Sequence, residues 1–187
     1  MTSETATPGA GMAEVAPAQP DDAIVFDPHN CFACGTLNVH GLQLELHFGG
    51  DRCWTELAIP ARFQGWDGIA HGGIVSTVLD EVMAWSLVDR DNWGLTARLS
   101  VEFKRPVPLE RTIRGEGWVV ETRRRVIRAE GRILDPATGQ LLATAEATYV
   151  AAPDDRKQEL KERYGYRRVP RTARSADRSS VREPVVR

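Results

Sequence analysis

No stretch of 18 consecutive apolar residues occurs in this 187-residue chain, and its opening residues lack the basic start and apolar core of a secretory signal. Neither a membrane span nor export is expected, and a cytoplasmic setting is. Cysteine is scarce: Cys31, Cys34 and Cys53 are the only three, too few for a disulfide framework. No repeat recurs at solenoid spacing, and no helix-turn-helix or other nucleic-acid motif is present. Large apolar side chains are nearly missing from residues 1–22, which are rich in Ala, Pro, Thr and Glu. Such a segment cannot offset the entropy of being ordered, so a disordered leader is expected there.

Charge is also unevenly spread. The net −2 conceals a tail, residues 156–187, with 11 Lys or Arg against 4 Asp or Glu, and a body of net −9. Residues 153–187 therefore read as a basic, largely disordered tail in which 154–164 could add a short helix. Nucleic acid, an acidic membrane surface or the acidic body of its own oligomer could meet such an arm, but a solvated extension explains it as well, and no nucleic-acid partner is expected.

What remains, residues 23–152, has room for one domain with a real core. Leu42, Leu44, Leu46 and Phe48 alternate with Gln43, Glu45 and His47, which predicts a first strand with one face inward. Gly49-Gly50-Asp51 then predicts a hairpin turn into a second strand over 52–59. From 72 to about 89, apolar residues surround nearly the whole helical circumference, which predicts a helix enclosed by other structure. Further strands are predicted over 95–104, 112–122, 125–134 and 141–150. Their turn-rich links favour an antiparallel meander, and hence an α+β domain with a sheet curled around the helix.

That helix carries Asp80 and Glu81 inside its apolar run, and a buried carboxylate needs a reason. Consecutive residues lie about 100° apart, so only one of the two can face a given pocket, the other being a partly solvated neighbour. Gly72 and Gly73 open the helix, where N–H groups and the positive dipole end can receive developing negative charge.

The run from Phe63 through Trp66 to His71-Gly72-Gly73, then Asp80, then Gly94-Leu95-Thr96-Ala97-Arg98-Leu99 leading to Phe103-Lys104-Arg105-Pro106, resembles the hotdog-fold acyl-CoA thioesterase superfamily, of the phenylacetate-pathway and thioesterase-superfamily-member type. The likeness covers about residues 31–151. It implies a hotdog fold, an antiparallel sheet of five to six strands wrapped around one long central helix, working as a homodimer or dimer of dimers. It also implies hydrolysis of an acyl-CoA thioester to a carboxylic acid and coenzyme A, with no cofactor and no metal. The resemblance assigns the carbonyl-polarising N–H to Gly72, the nucleophile or general base to Asp80, and water positioning to Thr96 contributed by the partner subunit. His71 and Gly73 would shape the pocket, Trp66 would line the acyl or pantetheine channel, and Lys104 and Arg105 would meet coenzyme A phosphates. Some relatives hold the water with Asn or Gln upstream of the histidine; Gly65 stands at that place here, with Gln64 beside it. Glu81 is the reserve acid.

Other readings stay open on sequence alone. Asp80 could pair with a strand arginine such as Arg98, Thr96 could be an ordinary β-branched strand residue, and Arg123-Arg124-Arg125 could be a solvated turn. A hotdog domain could also bind acyl-CoA without hydrolysing it. A dehydratase is disfavoured because no Asp and His stand five apart at the helix start. Cys31-Phe32-Ala33-Cys34-Gly35, near His29 and His40, lacks a second ligand pair and the strand-to-helix setting of a redox motif, so it reads as a packed lead-in loop, with zinc as the alternative.

Overall fold

The computed structural model describes residues 22–88 and 90–170. Its chain order is β1 (Asp22–Val25), β2 (His47–Gly49), β3 (Arg52–Ala58), β4 (Gln64–Trp66), β5 (Ile69–Ala70), α1 (Gly72–Val88), β6 (Gly94–Phe103), β7 (Thr112–Arg123), β8 (Val126–Leu134), β9 (Leu141–Ala151), α2 (Asp154–Tyr164) and β10 (Arg167–Pro170). Eight strands form one antiparallel sheet in the order β10-β1-β2-β3-β7-β8-β9-β6, and β4 and β5 make a separate hairpin. Among the described residues no helix is long and apolar enough to cross a membrane.

The expected wrapped sheet and central helix are present, and the sheet is wider than the five to six strands predicted. The extra width comes from β1 and β10, which pair from Asp22 opposite Pro170 to Val25 opposite Arg167. The domain therefore runs past residue 152: α2 and β10 are built from residues that their charge assigns to the tail. The expected leader and the remainder of the tail lie outside the described residues. The predicted first strand is also shorter than its alternation suggests. Leu44, Leu46 and Phe48 are buried as expected, but the Leu42 and Leu44 N–H groups bond to Phe32 O (2.9 Å) and Ala33 O (2.8 Å) of the cysteine loop, and a ladder begins only at His47.

Side-chain size explains how α1 fits. On the inner face of the sheet β7 offers Ile113, Gly115, Gly117 and Val119, β8 offers Ala129 and Gly131, and β9 offers Ala143, Ala145 and Ala147. This trough of small residues admits the helix to van der Waals contact, and Val75, Val78, Leu79, Val82 and Met83, each at most 1% exposed, fill it. At Gly117 nothing larger fits: a Cβ there would lie 2.5 Å from Met83 N and 2.6 Å from Val82 C and O.

The outer face carries charge. Glu116, 6% exposed, accepts hydrogen bonds from Arg114 Nε (2.7 Å) and Arg132 Nε (2.8 Å), with Arg52 Nη1 at 3.4 Å. Arg52 lies over Trp118 at 4.3 Å and Arg114 over Trp54 at 4.0 Å, so the guanidinium planes are fixed by ring contacts as well. Burial pushes the Glu116 carboxyl up, but the bond from Arg114 and the charge and bond of Arg132 outweigh it and hold the group below its ordinary value.

Two consequences are measurable. Gly117→Ala forces α1 off β7 and is expected to cost about 3 kcal/mol in denaturant unfolding, whereas Gly139→Ala, strained only by its own positive φ (69°), costs about 1 kcal/mol. Glu116→Gln, discounted for the partly exposed arginines, is expected to lose about 1–2 kcal/mol near neutral pH. A carboxyl whose folded pKa is depressed stabilises above its unfolded value and loses that contribution as pH falls through the folded value. The two chains should therefore converge in stability below the ordinary carboxylate range, and a difference that persists in acid would refute this account.

Candidate active site

The start of α1 is built by His71. Its carbonyl accepts the Ile74 N–H (2.9 Å) and the Val75 N–H (3.2 Å), and its Nδ1 accepts the Gly73 N–H (3.0 Å), so the ring acts as a cap and its neutral form carries the proton on Nε2. Gly65 lies over it closely, since a Cβ there would sit 3.0 Å from His71 Cα. Gly73 is thus already engaged, and no acceptor among the described residues takes the Gly72 N–H. Gly72 opens onto a cleft of about 370 Å³ shared with Trp66, Phe103, Lys104 and Arg105. Four residues that the sequence nominates, from three separate segments, meet there. Trp66 is 83% exposed, which makes it a wall of the cleft and not core. Gln64 turns elsewhere: its Oε1 accepts the Gly68 N–H (3.1 Å) and closes the β4–β5 turn. Lys104 is ion-paired with Glu102.

Asp80, two turns on, is held by two hydroxyl groups. Thr96 Oγ1 donates to its Oδ1 at 2.9 Å and Tyr149 OH donates to the same oxygen at 3.0 Å. Thr96 and Tyr149 are opposite one another on β6 and β9, and the register shifts directly after them, between Thr96 and Arg98. A bulge of this kind re-aims side chains, and here two strand neighbours converge on one carboxylate. Thr96 was expected to come from the partner subunit; it reaches Asp80 of its own chain, because β6 crosses α1 at the level of Asp80. The alternative pairing with Arg98 is not found: Arg98 lines a shallow cleft with Arg128 and Glu146. Tyr149 is fully buried, and burial and then the Asp80 charge push its hydroxyl far up, so it remains a donor. Sequence reasoning missed Tyr149. The signal was a single tyrosine at the end of an inward row otherwise made of alanines, whose buried hydroxyl must find a partner.

Glu81 is part-buried and faces another way. Its carboxyl accepts a hydrogen bond from Trp85 Nε1 (2.9 Å) and lies beside Cys31 and Cys34. Burial, then the charge of Cys31, raises it to about 7 against the bonds from Cys34 and Trp85. Cys31 is drawn down to about 5, mainly by the hydrogen bond from Cys34 and, against burial, by the Cys34 and Ala33 N–H groups; Cys34 is correspondingly pushed up. Glu81 is therefore not placed in the cleft with Gly72.

Residues 67–142 match the family model of the thioesterase superfamily. Among solved structures, a thioesterase superfamily protein is 25% identical, with a TM-score of 0.62, over 65% of this chain and 60% of that one. The match thus spans three fifths of that protein's length. Zebra fish thioesterase superfamily member 2 is 17% identical over 59% of this chain and 83% of its own, with a TM-score of 0.55. A hypothetical thioesterase from Streptococcus pneumoniae, solved with coenzyme A, is 18% identical over 54% and 81%, with a TM-score of 0.52. No curated protein sequence matches the chain. Residues 67–142, the segment that holds the helix start, Asp80 and Thr96, are thus similar to the thioesterase superfamily, and the domain has the hotdog fold.

Proposed function

We propose that the protein hydrolyses an acyl-CoA thioester to a carboxylic acid and free coenzyme A, in the cytoplasm. The observation that carries this reading is the setting of Asp80: a carboxylate with one oxygen fixed by Thr96 and Tyr149 on a helix whose first residue lines a cleft. Both donors converge on Oδ1, which leaves Oδ2 to take a proton from water. In the proposed step the water oxygen bonds to the carbonyl carbon as its proton passes to Asp80. The Gly72 N–H and the positive end of α1 receive the oxyanion; the C–S bond then breaks and the proton leaves with the coenzyme A thiolate. The streptococcal relative with coenzyme A bound supports the choice of thiol, and Lys104 and Arg105 at the rim of the cleft suit its phosphates.

Geometry also calls for a second copy. Gly72 and Asp80 are eight residues apart, roughly 12 Å along the helix axis. A carbonyl held by an N–H on one side and attacked by a carboxylate-bound water on the other spans only about 7 Å. This separation supports a site shared between two chains. The site is completed if a partner subunit runs antiparallel, so that Gly72 of one chain meets Asp80, Thr96 and Tyr149 of the other. This regroups the expected roles: Thr96 stays with its own Asp80, and the oxyanion donor is the group that crosses. The proposed assembly is a homodimer or a dimer of such dimers.

Asp80→Asn is expected to lower kcat by at least about 100-fold with an unchanged fold, measured as free thiol released from aromatic and short-to-long acyl-CoAs. Tight acyl-CoA binding by the native chain without any turnover would favour the non-catalytic binding module instead. Tyr149→Phe removes one charge-assisted hydrogen bond at constant shape and should cost roughly tenfold in kcat with KM nearly unchanged. The regrouping has its own test. Gly72→Pro removes the N–H at the first helical position, where proline is tolerated, and adds a ring whose Cβ lies 3.3 Å from Phe103 Cζ. Chains carrying Gly72→Pro and Asp80→Asn, each inactive, should recover roughly a quarter of native activity when co-folded, since half the dimers are mixed and each of these has one intact site. No recovery would mean that both groups act within one chain.

A further inference from the structure

Glu81 is the helix acid that the proposed reaction leaves unused, and its neighbours are chemically specific. The Sγ atoms of Cys31 and Cys34 and a carboxylate oxygen of Glu81 all lie within 4.8 Å of one another. A tetrahedral ion with bonds of about 2.0–2.3 Å holds such donors about 3.3–3.8 Å apart, so the three converge after shifts of roughly 1 Å or less. We infer that Cys31, Cys34 and Glu81 form a binding site for a divalent metal ion of the zinc class, with solvent completing the coordination. On sequence alone zinc was only the alternative to a packed loop, because the Cys-x-x-Cys pair lacked further ligands; the missing ligand comes from α1, some fifty residues on.

Loop geometry and the surrounding donors fit the same role. Gly35 closes the turn so tightly that a Cβ would lie 2.4 Å from Cys31 N and 2.5 Å from His29 O, and its N–H bonds to Cys31 O at 3.0 Å. The turn thereby holds both sulfurs near one another, with the Ala33 and Cys34 N–H groups directed at the Cys31 sulfur. Trp85 Nε1 fixes one carboxylate oxygen of Glu81 (2.9 Å). His29 is an orienting group and not a ligand. Its Nδ1 accepts the Cys31 N–H (3.2 Å), so the neutral ring carries its proton on Nε2, 3.9 Å from Cys34 Sγ, where it can donate to a thiolate. Two thiolates and one carboxylate select a borderline-soft ion such as zinc over magnesium or calcium. The ion would tie the lead-in loop to α1 one residue beyond Asp80.

The test uses the full chain, reduced and stripped with a chelator, titrated anaerobically with Co²⁺. The expected result is saturation at about one equivalent, with thiolate-to-cobalt charge-transfer absorption and the intense visible bands of a tetrahedral ion, displaced by Zn²⁺ one for one. Glu81→Gln should retain the charge-transfer band and bind at least about tenfold more weakly, while Cys31→Ser with Cys34→Ser should abolish the band, each variant being checked for native circular dichroism. Three results would overturn the site: no charge-transfer absorption in the native chain, equal uptake by the double serine variant, or a Cys31–Cys34 disulfide in the isolated protein together with no metal uptake after its reduction. None of these readouts involves thioester hydrolysis, so the metal site and the proposed activity can fail separately.

Discussion

The closest constraint in the domain is that α1 rests on the backbone of β7. At Gly117 the separation leaves no room even for a methyl group, and the flanking inner positions, Gly115, Gly131, Ala145 and Ala147, are nearly as small. A helix seated on side chains could slide or rotate as those side chains repack. One seated on a strand's main chain has its height and rotation fixed. That fixity puts Asp80 level with the Thr96 and Tyr149 pair and turns Glu81 toward the cysteine loop, so both clusters inherit their geometry from one glycine contact.

Adjacency of the two acids then has a definite meaning. About 100° of rotation separates them, and each meets a different solution to the cost of enclosing a carboxylate. Asp80 has two neutral hydroxyl donors on one oxygen, which hold the group in place while leaving the other oxygen usable. Glu81 has one indole N–H and two sulfurs, and its carboxyl is raised toward neutrality. The first is an arrangement suited to proton transfer; the second is suited to holding a cation, which would remove the reason for that rise. Neither role depends on the other, although one helix turn carries both.

How much of this could be read from the residues varies with the range of the interaction. The long helix, the four strands β6 to β9 and the hairpin turn at Gly49 to Asp51 were legible because periodicity and turn chemistry are local. The sequence motif also nominates Gly72, Trp66, Lys104 and Arg105, and these line one cleft. Residues 42–46 were misread because alternation reports only which side is buried. It cannot tell a ladder from an extended loop bonded to Phe32 and Ala33. Residues 154–170 were assigned to the tail because their charge masks a small set of aromatic anchors. Tyr164 and Tyr166 pack with Trp85 and Trp93, Tyr164 also meets His29, and Lys157 and Lys161 both pair with Asp91. Tyr149 and the pairing of Glu81 with Cys31 and Cys34 were out of reach for another reason: each joins segments roughly fifty to seventy residues apart, where a single sequence carries no register.

Among the described residues the sheet has two ends, and they are built differently. At one end β10 is four residues long, reads Arg-Arg-Val-Pro and finishes in a proline that cannot donate to a further strand. Short length, charge and proline are the usual means of blunting an edge. At the other end β6 is ten residues long, with Leu95 77% and Phe103 52% exposed. A long edge with apolar side chains on display invites pairing, and this is the edge that bears Thr96 and, through Phe103, a wall of the Gly72 cleft. A second copy added at β6 would lie beside both halves of the proposed site, whereas one added at β10 would lie beside neither. This asymmetry between the two described edges supports β6 as the edge at which the proposed dimer pairs.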